Sequence, residues 1–379
     1  MTRNFCLAVL SFGALSCAGQ GRMMQVAPAP ESAIVGSLFL VGDAGAPVPD
    51  DPVLAALGRA LGEVPERSSV VFLGDNIYPA GIPDPSDPGY PEAQRRLAAQ
   101  VDAVVGSGAK IYFVPGNHDW ARHAASGWQA VIRQTAMLDS LSGGRAALLP
   151  GNGCPGPVVR DVPGFRLVTL DSQWWLHKGP RPTTPDDGCP TWDSTGVATA
   201  LSEAVTGHEW DAVVVAHHPL ESHGEHGGSF PWIDHIFPLR HFKSWLWLPV
   251  PVVGSIYPIA RRNGVSRQDQ SNKLYRRYRA TVEAASGTGV LAYAAGHDHT
   301  IQILDQPPFA VEIVSGTGYF NHISHLGGGD DIRYATATSG FVRLDRLADR
   351  RVRLAVIEVT AAGTRETHSE WLEPPTGTP

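Results

Sequence analysis

Five short apolar runs in this chain each give way, within three residues, to an Asp, an Asn or a His. No other feature constrains the fold as strongly. The runs are Ile34–Val41, 70–73, 110–114, 211–216 and Val290–Ala295, and they lead into G-D-A-G, G-D-N-I-Y, P-G-N-H-D, H-H-P and G-H-D-H. Runs this short, mostly rich in β-branched and aromatic residues, are expected to be buried strands. A sixth run at 165–170 has the same character. Helix-compatible stretches lie between them at Pro52–Leu61, 91–105, 128–141, 195–205 and 272–285. Strand alternating with helix predicts an α/β protein with helix-covered sheets. In such sheets ligand sites form beyond the carboxyl ends of strands, so the five polar sets are expected to face one crevice. Near the C-terminus, 341–344 and 351–359 alternate around a turn and predict a hairpin.

Composition bounds this picture. The 379 residues allow two domains or one large one. With 43% hydrophobic and 18% charged residues the chain is globular, not disordered. The net charge of −7 supplies no global basic field, so nucleic acid is not an expected partner. Four cysteines are too few for a disulfide-built scaffold of this length.

The N-terminus is expected to be an address. Arg3 precedes an apolar run from Phe5 to Leu15, too short to span a bilayer, which ends in A-L-S-C. Residues 1–16 resemble a bacterial lipoprotein signal peptide, which would leave Cys17 as an acylated N-terminus. Ordinary secretion and a buried N-terminal helix are the alternatives. Residues 17–33 then read as the anchor cysteine and a flexible tether. Cys154 and Cys189 remain, an even pair that an oxidising compartment would favour bridging.

An insertion at about 230–268 breaks the strand–helix rhythm. It carries Trp232, Trp245 and Trp247 among several prolines, with Arg240, His241, Lys243, Arg261 and Arg262 around them. The prolines forbid one continuous helix. Trp and Tyr flanked by basic residues are the composition of a membrane-interface segment. Two expectations stand for it: a segment folded onto the protein's own surface, or a loop that faces a membrane or caps a substrate.

Singly, none of the strand-end residues is diagnostic, since a G-D is commonly a turn and a His is commonly packed. Together, in this order, they resemble the five blocks of the calcineurin-like metallophosphoesterases: D, GD, GNH, H and GHxH. That superfamily mostly carries D-x-H in its first block, whereas here the block is Asp43-Ala44-Gly45. G-D-N-I-Y supplies Tyr78 instead, and D-x-G paired with G-D-x-x-Y is similar to the purple acid phosphatases of the small, tartrate-resistant type. The resemblance runs from about residue 34 to 321 and leaves the insertion unmatched.

The resemblance implies a two-sheet αββα sandwich as a single catalytic domain over 34–360, with 361–379 as a C-terminal tail. It implies Fe(III) on Asp43, Tyr78 and His299, and a divalent Fe, Zn or Mn on Asn117, His217 and His297, with Asp75 bridging. Hard carboxylate and phenolate oxygens suit the first ion, and imidazole and amide donors the second. The implied activity is hydrolysis of phosphomonoesters on a small-molecule substrate by hydroxide generated at the metal pair. His118 and His226 would face the phosphate as catalytic groups, with His218 and His223 as nearby alternatives. Asp119 is expected to brace the G-N-H turn. A phosphodiesterase or a nucleotide or phospholipid phosphatase is the nearest alternative, and an inactive surface-binding lipoprotein the alternative from another class. The expected location is exported and membrane-anchored, in the periplasm or outer membrane, through lipidated Cys17 and the 230–262 stretch.

Overall fold

The computed structural model describes residues 21, 24–207, 211–241, 245–250 and 253–373. The signal-peptide stretch and Cys17 lie outside the described residues. In chain order the strands are β1 (Ile34–Val41), β2 (Ser68–Phe72), β3 (Lys110–Phe113), β4 (Ala146–Leu148), β5 (Val158–Val162), β6 (Phe165–Thr169), β7 (Ala212–Val215), β8 (Val290–Ala295), β9 (Ile301–Leu304), β10 (Val311–Ser315), β11 (Ile332–Thr336), β12 (Gly340–Leu347), β13 (Val352–Thr360) and β14 (Gly363–Leu372). The helices are α1 (Pro52–Leu61), α2 (Tyr90–Val105), α3 (Gly127–Ser142), α4 (Ser172–Leu176), α5 (Ser194–Ala204), α6 (Trp232–Ile236), α7 (Ile256–Arg262) and α8 (Lys273–Ser286).

Two seven-stranded sheets result, in the orders β14-β13-β12-β1-β2-β3-β4 and β11-β9-β10-β8-β7-β6-β5. In the first, β1 to β4 run parallel. In the second, β6, β7, β8 and β10 do. The parallel strands are buried on both faces, which explains their near-continuous apolar sequences. Strand β1 shows how the period-2 rule builds the layers. Its Phe39 and Val41 pack with α1, α2 and α3 on one side, through residues such as Leu57, Leu97 and Leu138. Its Leu38 and Leu40 point the other way, against Val213, Leu291 and Ile313 of the second sheet. A third apolar layer joins the second sheet's outer face to α4, α5 and α8, with Trp175, Leu201 and Tyr278. The architecture is therefore the expected αββα sandwich.

Local chemistry fixes the helix starts. Asp51 caps α1 by accepting from the Val53 amide at 2.9 Å, with Pro52 at the first helical position. Asn272 does the same for α8 through the Leu274 amide at 2.9 Å. The expected C-terminal hairpin is β12–β13, paired antiparallel.

The chain's two ends depart from expectation. Residues 363–372 are not a tail but the edge strand β14, which pairs with β13 along its length. Nor is the second half of the tether free. Met24 and Val26 exchange backbone hydrogen bonds with Ser369 at 2.9 and 3.3 Å, and Arg353 donates to the Val26 carbonyl. Edge strands keep polar residues on both faces, so β14 carries little apolar signal to read. Cys154 and Cys189 are joined by a disulfide.

Candidate metal centre

All five polar sets emerge at one end of the two sheets, where the sheets meet. The Gly42 amide donates to the Ser315 carbonyl at 2.7 Å, and the His217 imidazole donates through Nδ1 to the Leu73 carbonyl at 2.9 Å. Asp43 follows β1, Asp75 follows β2 and Asn117 follows β3, while His217 follows β7, and His297 and His299 follow β8. Asp43, Asp75 and His297 adopt positive φ of 58°, 52° and 72°. Such conformations cost free energy in non-glycine residues and concentrate at functional sites.

The first donor group is Asp43, Tyr78 and His299. The Tyr78 hydroxyl donates to Asp43 Oδ1 at 3.0 Å and lies 3.3 Å from His299 Nε2. His299 Nε2 is 3.5 Å from Asp43 Oδ1. The Gly of D-x-G has a structural cause here. Its carbonyl accepts the Tyr78 amide at 3.0 Å, and a Cβ at Gly45 would overlap the Asp75 carbonyl oxygen. Burial, then the neighbouring Asp43 carboxylate, push the Tyr78 phenol well above its usual pKa. At His299 burial is outweighed by Asp43, and the net shift is upward.

The second group is Asn117, His217 and His297. Asn117 Oδ1 lies 3.0 Å from His217 Nε2 and 3.1 Å from His297 Nδ1, and those two nitrogens are 3.2 Å apart. His217 Nδ1 must carry its proton, because its partner is a carbonyl. His297 Nε2 likewise faces the Gln268 carbonyl at 3.4 Å. Burial holds the His297 imidazole well below its usual pKa and hence neutral. Three potential donor atoms therefore converge, an arrangement that suits a cation. Ligands on one ion at about 2.1 Å, with angles of 90–109°, lie about 3.0–3.4 Å apart. The donor separations of the second group fall within that spacing, and those of the first, 3.0, 3.3 and 3.5 Å, lie within or just beyond it.

Asp75 stands between the groups. Its Oδ1 is 3.4 Å from His217 Nε2, and its carboxylate, with Asp43 and His217, offers ligand atoms all within 4.8 Å of one another. Burial raises its pKa, but His217 and His118 more than offset this, leaving it lowered. The His118 amide donates to Asp75 Oδ1 at 2.8 Å. Asp119 accepts from the Gly116 amide at 2.7 Å and from Asn76, bracing the G-N-H turn.

His118 and His226 line the cavity of about 390 Å³ that opens over Asp75, Asn117, His297 and His299. His118 Nδ1 donates to the Pro79 carbonyl at 2.6 Å, and its Nε2 sits 3.7 Å from Asp75 Oδ2. Burial lowers its pKa despite the Asp75 charge. The His226 ring lies 3.9 Å from that of His297. His218 is wholly buried, with Nε2 at 2.5 Å from Gln268 Oε1, and His223 is paired with Asp331 at 2.8 Å.

Several lining residues lie outside the set of site residues expected from the sequence. Arg122 and His123 belong to a left-handed turn over Ala121, Arg122 and His123, with φ of 49°, 49° and 72°. Arg261, Ser266 and Gln268 come from the insertion, which thus forms one wall of the cavity. Arg261 is held by Asp269 at 2.7 Å and reaches His226 Nδ1 at 3.2 Å. The insertion's outer side exposes Trp232, Trp245 and Trp247 by 71%, 72% and 53%, beside Ile256 and Ile259. His322, in the loop after β10, touches His299 Nε2 through its own Nε2 at 3.0 Å.

No protein-family model matches the sequence, and no curated protein matches it. Solved structures do. The chain superposes on the purple acid phosphatase PPD1 from seeds of yellow lupin (Lupinus luteus) with a TM-score of 0.52 at 13% identity, over 90% of this chain and 55% of that one. It superposes on PhoD with a TM-score of 0.51 at 12% identity, over 92% and 72%. GAP50, the inner-membrane-complex anchor of Plasmodium, gives 0.49 at 14% identity, with 90% of each chain covered. The chain thus spans about half the length of the lupin enzyme. The fold is that of the metallophosphoesterases.

Proposed function

We propose that the chain is a dimetal phosphoesterase of the calcineurin-like superfamily, hydrolysing phosphomonoesters in the manner of a purple acid phosphatase. The observation that carries this is Asp75, one buried carboxylate set between two groups of converging donors. In the proposed assignment Asp43, Tyr78 and His299 would hold Fe(III), Asn117, His217 and His297 would hold a divalent Fe, Zn or Mn, and Asp75 would serve both. When bound, the pair would supply Lewis acidity and an activated water near neutral pH.

The chain's own residues supply the rest. Leu73 fixes the tautomer of His217, and Asp119 holds the turn that presents Asn117 and His118. His118 and His226 are assigned to the substrate phosphate, where an imidazole can carry a proton to the leaving oxygen. A bound phosphate dianion would raise the pKa of His118, which burial, with smaller contributions from Arg122 and His217, depresses. Arg122 and Arg261 make the cavity attractive to an anion, and Asp75 is the one carboxylate among the described residues that line it. That lining supports a phosphorylated small-molecule substrate.

Export is part of the proposal. The Cys154–Cys189 disulfide suits an oxidising compartment, and A-L-S-C suits lipidation at Cys17. The exposed tryptophans suit contact with a membrane surface. A second reading, as a phosphodiesterase or phospholipid phosphatase, draws on the insertion's Arg261, Ser266 and Gln268 in the cavity wall. The test is turnover of p-nitrophenyl phosphate against bis-p-nitrophenyl phosphate by metal-loaded protein. A monoesterase favours the first ester by at least about tenfold in kcat/KM, which corresponds to 1.4 kcal/mol. Preference for the second ester would replace monoesterase by diesterase, and turnover of neither would leave the binding-lipoprotein alternative.

A further inference from the structure

The D-x-G block lacks the histidine that most of the superfamily places there, and a different histidine stands beside the same group of donors. His322 Nε2 lies 3.0 Å from His299 Nε2. His299 Nε2 is also the atom that faces Tyr78 at 3.3 Å and Asp43 at 3.5 Å. The His299 and His322 rings are 3.7 Å apart, and the Tyr78 and His322 rings 5.3 Å.

On the far side, His322 is held by Tyr319. The Tyr319 hydroxyl is 2.7 Å from His322 Nδ1, and the two rings stack at 4.3 Å with 17° between planes. The Tyr319 hydroxyl oxygen is placed to accept a proton from Nδ1. With Nδ1 as the donor in that hydrogen bond, the lone pair is on Nε2, which faces His299. It is also the usual setting of a metal-binding imidazole, whose other nitrogen donates to a fixed oxygen.

Two imidazole nitrogens at 3.0 Å need a proton or a cation between them. A proton donated by His322 would occupy the lone pair with which His299 would bind the metal. The two roles of His299 Nε2 exclude each other. We propose that His322 Nε2 is a further ligand at the Asp43–Tyr78–His299 ion, supplied by the loop after β10 in place of the histidine absent from D-x-G. The inference rests on the two-metal reading above, and it gives this ion two imidazoles where the resemblance implies one.

The test uses iron-loaded full-length protein, with His322→Ala and His322→Gln compared with wild type. The readouts are the visible tyrosinate-to-iron absorption band, iron loss to a chelator, and the number of imidazole nitrogens on iron by X-ray absorption. Ligation predicts a shifted band, iron loss at least about tenfold faster in the alanine variant, partial recovery with Gln, and one imidazole fewer on iron. Melting of the metal-free variants separates this from misfolding and is expected to match wild type. A band, a chelation rate and an imidazole count all unchanged in His322→Ala would overturn the inference while leaving the two-metal reading intact. A variant that loses iron faster but keeps its imidazole count would reduce His322 to a positioning residue and equally overturn it. Wild-type protein that takes up no metal would overturn both.

Discussion

At the residue scale, each assignment concerns what one side chain faces. Tyr78 faces Asp43 and His299, and without a cation its phenol is held protonated by burial and by the Asp43 charge. A bound ferric ion reverses that logic, because a metal's own charge dominates the local electrostatics. Iron-loaded protein is therefore expected to be visibly purple or pink, and Tyr78→Phe to bleach it; a colourless iron-loaded wild type would remove Tyr78 from the ligand set. Glu312 makes a prediction independent of metal. It is wholly buried, accepts from the Leu220 amide at 2.6 Å, and burial pushes its carboxyl up from 4.5 to about 8. A carboxyl with a raised folded pKa binds more protons in the folded state, so stability falls as pH rises from about 4.5 to about 8. Glu312→Gln should flatten that fall in denaturation midpoints measured between pH 5 and 8. An unchanged slope would assign the fall to other groups.

At the element scale, the insertion has two sides of different character. Its inner side gives Arg261, Ser266 and Gln268 to the cavity, while its outer side exposes Trp232, Trp245 and Trp247. Replacing the three tryptophans by serine is expected to reduce binding to anionic vesicles at least about tenfold and to leave hydrolysis of soluble p-nitrophenyl phosphate unchanged. Vesicle binding equal to wild type would assign the tryptophans to another contact. Legibility in the sequence also divides by element. The parallel strands were readable because burial on both faces makes them continuously apolar, as in A-V-V-V of β7, and the residues after them were readable because a strand end fixes where they point. Edge strand β14 was not, since Glu366, His368 and Glu370 break any apolar pattern. Arg122 and His123 owe their place to a left-handed turn that no residue type there announces. His322 sits seven residues beyond β10, whose last residue is Ser315, and only the packing of that loop onto Tyr78 and His299 brings it to the site.

At the scale of the whole molecule, the site exists because two sheets converge. Asp43, Asp75 and Asn117 come from one sheet, His217, His297 and His299 from the other, and contacts such as His217 to Leu73 and the His297 amide to Asp43 at 2.7 Å fasten them together. Opposite the site, a buried ion pair between Arg346 of β12, which pairs with Gly36 of β1, and Asp211 ahead of β7 ties the same two sheets. Neither sheet alone holds a complete set of the proposed donors, so metal binding at this site would be coupled to tertiary structure. The most direct measurement is to strip the protein with a chelator and return metal stepwise while following p-nitrophenyl phosphate hydrolysis. Activity is predicted to vanish on stripping and to return with saturation at about two ions per chain. Hydrolysis that survives stripping, or that saturates at one ion, would contradict a site built from two donor groups around Asp75.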